Sequence, residues 1–278
     1  MQIFDTHVYC FPKSLLSALP QDARSTLEEV VKPLGETLVR ASSLGQILPE
    51  GLAKILSPAL IQKTAPVAGL LWDSSPEVWL ETSKAHHIEY ACLHDYPPFL
   101  SRESVKEVCK QHQPGKWLYP ESILKEKDSS EPGAFILLVT PDQYEEALGL
   151  ANTLKAPIIM SAAVLSALPS IPIHPTLLTL SASEPLDSIF ETIRNFSNVK
   201  VCTSWQPAES VFKALTVLGP GRVVFGSGWP LFGEPYENAI QRVQTALQWY
   251  SGENSANHFS AEIFSENAYH LFGVKEEV

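Results

Sequence analysis

Eight short apolar runs recur along the 278-residue sequence, at residues 2–7, 88–93, 116–119, 134–140, 158–161, 177–181, 199–203 and 222–227. They are rich in β-branched and aromatic residues and end in polar or turn-forming ones, which is how strands read. Several are apolar on both faces, as buried parallel strands are. Apolar residues at helical spacing follow most of them, at 102–110, 141–151, 186–196 and 208–218. Repeated strand and helix units require parallel pairing, and eight of them in a chain near the usual length of about 250 residues close into a (β/α)8 barrel. The expected class is therefore α/β, with residues 1–278 forming a single TIM-like barrel domain.

Local signals agree with this order. The 141–151 segment opens on Pro141 and carries Asp142, Glu145 and Glu146 early, as helix N-termini favour. The 208–218 segment stops at Gly219-Pro220-Gly221. One stretch breaks the repeat: residues 11–84 are far longer than a single crossover needs. Apolar spacing over 27–38, 44–56 and 78–85 predicts several helices there, a helical insertion after strand 1 that covers one barrel face or makes a homo-oligomer contact. Two closing helices are expected over 238–250 and 261–272, the second ended by Gly273.

Charge and cysteine usage exclude several function classes. Lys and Arg number 20 against 31 Asp and Glu, a formal net charge of -11, and no basic run is present, so nucleic acid is not an expected partner. Cys10, Cys92, Cys109 and Cys202 are scattered without a CxxC pair, and buried reduced thiols are expected. The sequence opens without a basic segment leading into an apolar one, and its longest apolar run, 134–139, is too short to span a bilayer. A cytoplasmic protein without membrane association is the expectation.

In a parallel barrel the chemistry sits at the carboxyl ends of the strands. Those ends offer His7 and Tyr9, His94 and Asp95, Tyr119 and Glu121, Thr140 and Asp142, Ser161, Ser181 and Ser183, Thr203, Ser204 and Trp205, and Ser227, Gly228 and Trp229. Four segments, 3–9 (IFDTHVY), 198–204 (NVKVCTS), 221–230 (GRVVFGSGWP) and 266–273 (ENAYHLFG), resemble the amidohydrolase-related family in content and order. The resemblance implies a distorted (β/α)8 barrel with metal-dependent hydrolase or decarboxylase chemistry; residues 11–84 match it poorly.

The departures from that family matter most. The resemblance implies a His-x-His pair on strand one, a histidine on each of strands five and six, and an aspartate on strand eight. Here His7 stands first, followed by Tyr9, then Ser161 or Met160, Ser181, and Gly228 in place of the aspartate. A catalytic zinc needs about three nitrogen, sulfur or carboxylate ligands, which Tyr, Ser and Gly do not supply. Gly228 also removes the carboxylate that would take a proton from a metal-bound water. No metal and no other cofactor is therefore expected.

Three readings follow. In the first, the metal-dependent site is lost and Ser161, Ser181, Trp205, Ser227, Gly228 and Trp229 line the place of a small-molecule ligand. In the second, His7, Tyr9, His94 and Asp95 rebuild a metal-free site for a cyclic amide, lactone or aromatic carboxylate. In the third, residues 11–84 make the chain a scaffold or oligomer surface. His174 precedes strand six and is expected at the opposite end of the barrel; His86, His87, His112, His258 and His270 are expected to be structural or solvated.

Overall fold

The computed structural model describes residues 2–11, 74–96, 100–121, 135–180, 186–230, 235–252 and 256–274. Burial of the apolar runs on both faces organises them. Ile3–Val8 (β1) is buried throughout and pairs in parallel with Ile88–Leu93 (β2), which pairs with Trp117–Leu118 (β3). The extended passage resumes past Tyr119 as Pro120–Glu121 (β4), because a proline has no N–H to continue the ladder. From β4 a parallel series runs in chain order through Phe135–Leu138 (β5), Ile158–Ser161 (β6), Thr176–Thr179 (β7), Val199–Cys202 (β8) and Val223–Val224 (β9). Backbone bonds lead from the last strand back to the first. Thr6 N donates to Phe225 O at 3.1 Å, Gly228 N to His7 O at 2.8 Å and Tyr9 N to Trp229 O at 2.8 Å.

The eight expected strands thus follow one another, the third divided and the eighth shorter than 222–227. The shortening has a local cause: Phe225 N donates to Ile263 O, and the chain beyond it bonds to β1 instead of prolonging the pairing with β8.

Serine caps start several helices. Ser75 accepts from Val78 N ahead of Pro76–Ala85 (α1), Ser101 from Ser104 N ahead of Arg102–His112 (α2), and Ser161 from Val164 N ahead of Ala162–Ala167 (α4). Between the last two, Tyr144–Leu154 (α3) follows a 3₁₀ turn at Pro141–Gln143. Leu186–Ile193 (α5), Ala208–Leu218 (α6) and Tyr236–Ser251 (α7) complete the crossovers. The expected helix over 261–272 is interrupted: Ala256–Ala261 (α8) passes into a π turn at Glu262–Glu266 and then Asn267–Phe272 (α9). Ile263, whose carbonyl bonds to Phe225, lies in that π turn. The insertion at 11–84 falls almost wholly outside the described residues, apart from Phe11 and the segment carrying α1.

Two apolar layers result. The smaller takes Phe4, Tyr90, Cys92, Phe135, Ile159, Leu177, Cys202 and Val224 from successive strands, closed by Tyr269, Leu271 and Phe272 of α9. The larger joins the alternate strand residues to the flanking helices. This is the double-layered burial of a barrel wall.

Candidate functional site

His7 ends up as a fully engaged residue. It is 2% exposed, its Nδ1 lies 2.8 Å from Ser204 Oγ and its Nε2 2.7 Å from the hydroxyl of Tyr9. The contacts continue: Ser204 Oγ to Cys202 Sγ at 2.8 Å, Cys202 Sγ to Thr6 Oγ1 at 3.5 Å, and Thr6 Oγ1 to the carbonyl oxygen of Phe225 at 2.8 Å. That carbonyl can only accept, so Thr6 spends its proton there. Cys202 must then donate to Thr6, Ser204 to Cys202, and His7 Nδ1 to Ser204. Burial, reinforced by the neighbouring His94, holds the His7 pKa well below its ordinary value, so the ring is neutral and Nε2 accepts from Tyr9. One proton order gives every contact a donor, and it fixes the tautomer of His7.

Around this chain the rings close up. His7 packs on His94 at 4.3 Å and on Trp205 at 4.9 Å between centroids, while Tyr9 and Trp205 stack with planes 3° apart. His94 Nε2 donates to Thr6 O at 3.0 Å, and burial lowers its pKa to about 4. Burial also raises the Tyr9 hydroxyl well above its ordinary pKa. Asp5 lies beneath them. Its Oδ1 accepts from His7 N and Ser227 N, its Oδ2 from the Tyr236 hydroxyl, and desolvation still raises its pKa to about 6.

The β9 end fills the remaining space. Gly228 has φ +69, and a Cβ there would fall on the indole of Trp205, at Nε1. That same Nε1 donates to Gly228 O at 3.0 Å. Gly226 has no room either, since a Cβ would fall on Cys202 Sγ and 2.7 Å from Ser204 Oγ.

Of the residues singled out from sequence, His7, Tyr9, His94, Trp205 and Gly228 come together. Asp95 does not: Arg102 Nε donates to its Oδ2 at 3.0 Å, Arg102 Nη1 bonds to Glu121 O, and Asp95 Oδ1 is buried without a partner among the described residues. Just past β2, His94 packs on His7 while Asp95 pairs with Arg102 of α2. Ser161 Oγ accepts from Val164 N and caps α4, and Ser227 N donates to Asp5 while its Oγ accepts from Trp229 N. Trp229 packs on Trp79 at 5.1 Å; Ser181 lies outside the described residues. His174 bonds to Ala156 O, below β6, at the end opposite His7 as expected. The sequence reading missed Thr6, Cys202 and Asp5; the period of two from Cys202 to Ser204 was a usable signal. Among the described residues, no three His, Cys, Asp or Glu side chains are grouped to hold a metal ion.

No family model matches the sequence, and no curated protein does. Solved structures do. A candidate 2-pyrone-4,6-dicarboxylic acid hydrolase from Pseudomonas putida superposes with a TM-score of 0.58 at 13% identity, covering 99% of this chain and 98% of its own. The fold is that of the amidohydrolase barrels. A 5-carboxyvanillate decarboxylase from Novosphingobium aromaticivorans, solved with manganese and a nitrobenzoic acid, gives 0.55 at 11% identity over 98% and 96%. An amidohydrolase 2 protein from Bifidobacterium longum subsp. infantis gives 0.55 at 9% identity over 99% and 100%. At such identities the likeness is one of fold, and no helix among the described residues is long and apolar enough to cross a membrane.

Proposed function

We propose that this chain is a diverged amidohydrolase-like barrel that has lost metal-dependent catalysis and acts as a non-catalytic protein. The observation that carries this reading is the double engagement of His7. A metal ligand must offer a ring lone pair, and the His7 Nδ1 carries a proton while the Nε2 lone pair is taken by Tyr9. At position 228 the indole of Trp205 stands where a carboxylate would project. The residues described at the strand ends therefore do not fit a metal ion.

The relocated-site reading has less support. A general base needs an accessible lone pair near its operating pKa, whereas His7 and His94 are buried, with pKa values well below the ordinary one and at about 4 respectively. Asp95, the acid expected to join them, is tied to Arg102.

The test is turnover of a panel of lactones, cyclic amides and aromatic carboxylates by wild type and His7→Ala, with and without added zinc or manganese. The expected result is the same background rate for both. Turnover that is present in wild type and lost in His7→Ala would overturn the reading and favour an enzyme.

A further inference from the structure

We propose that Trp205 is an internal plug: its indole, and not the absence of ligands alone, closes the strand ends to a metal ion. The inference rests on the function proposed above and deepens it. Three observations support it. The backbone at 228 has φ +69, a left-handed conformation that strains any L side chain, aspartate less than most. A steric obstacle adds to it: the indole, on which any Cβ at 228 would fall.

The indole is also held actively. Trp205 has φ +58, a conformation that L-residues rarely adopt and that persists only where the surroundings impose it. They do so through the Nε1–H bond to Gly228 O, the stack on Tyr9 and the contact with His7. Finally, Tyr9 covers the one lone pair that His7 has left. Capping and filling are separate devices, so restoring ligands at positions 9 and 228 leaves the volume occupied. The indole must go as well.

The experiment uses the full chain and Co²⁺ as probe, read by the visible absorption of the bound ion. Tyr9→His with Gly228→Asp should bind no cobalt, and adding Trp205→Gly to that pair should produce the spectrum. Equal cobalt spectra from the double and triple variants would overturn the plug, as would a triple variant that is folded by circular dichroism yet binds none. Should the triple variant fail to fold, Trp205→Gly alone decides: added indole should raise its thermal midpoint and leave that of wild type unchanged, and no rise overturns the proposal. Cobalt bound by wild type would sink both the plug and the proposed function. Metal-free turnover by wild type would sink the proposed function alone.

Discussion

At the residue scale, five side chains donate hydrogen bonds in one direction toward the carbonyl of Phe225. Tyr9→Phe removes the donor to His7 Nε2 and leaves a buried acceptor unpaired, which should cost about 1–3 kcal/mol in urea unfolding. Ser204→Ala interrupts two contacts and should cost more. Imidazole ¹⁵N shifts should report His7 as the Nδ1–H tautomer near neutral pH, and Tyr9→Phe should perturb the Nε2 signal most. Acid adds a second test. His7 and His94 bind fewer protons folded than unfolded, so their contribution to stability is complete above about pH 6.5 and is lost as pH falls toward 4. Asp5 works oppositely: its pKa rises from 3.8 to about 6 on folding, so its contribution is present below 3.8 and is lost as pH rises through 6. The thermal midpoint should therefore fall between pH 6.5 and 4, and more steeply in Asp5→Asn, where the opposing carboxyl is gone; an unchanged slope would contradict this. His7, Tyr9 and Gly228 could be read from sequence because they occupy motif positions. Thr6 could not, because its partners, Cys202 Sγ and Phe225 O, come from the far end of the chain.

At the element scale, strands and helices were legible wherever local chemistry alone decides them. Ile88–Leu93, Ile158–Ser161 and Ala208–Leu218 coincide with their sequence readings because apolar runs there meet capping or stopping residues. Elsewhere other constraints decide: Pro120, which has no N–H, divides the third strand, and the long-range Phe225 bond to Ile263 shortens the eighth and lies against a π turn. Arg222 is one such long-range tie. Its guanidinium donates to Val199 O, Ile193 O and Arg194 O, joining the end of α5 to the start of β8. Arg222→Ala should cost about 2 kcal/mol or more in denaturant unfolding, since bonds from charged donors are worth about 1.5–3 kcal/mol. Arg222→Lys should recover little, because an ammonium cannot span three carbonyls as the planar fork does. At Gly226 even a methyl group would displace Cys202 and Ser204, so Gly226→Ala should lower stability and disturb the His7 imidazole shifts together.

At the scale of the whole molecule, parallel strands carry buried polar residues at their described ends, His7, Tyr9, His94 and Ser204 among them. Fold was legible because alternation of strand and helix is a property of the entire chain, whereas the filling of the site is a property of side-chain positions. From sequence, Trp205 was as easily a pocket wall as core packing; its Nε1–H bond to Gly228 O depends on the folded placement of both. The proposed function requires that this barrel hold no metal at its strand ends. Elemental analysis of protein purified without chelators tests it most directly: zinc, manganese, iron and cobalt should all be far below stoichiometric, in wild type and His7→Ala alike. A stoichiometric ion in wild type that disappears with His7→Ala would contradict it.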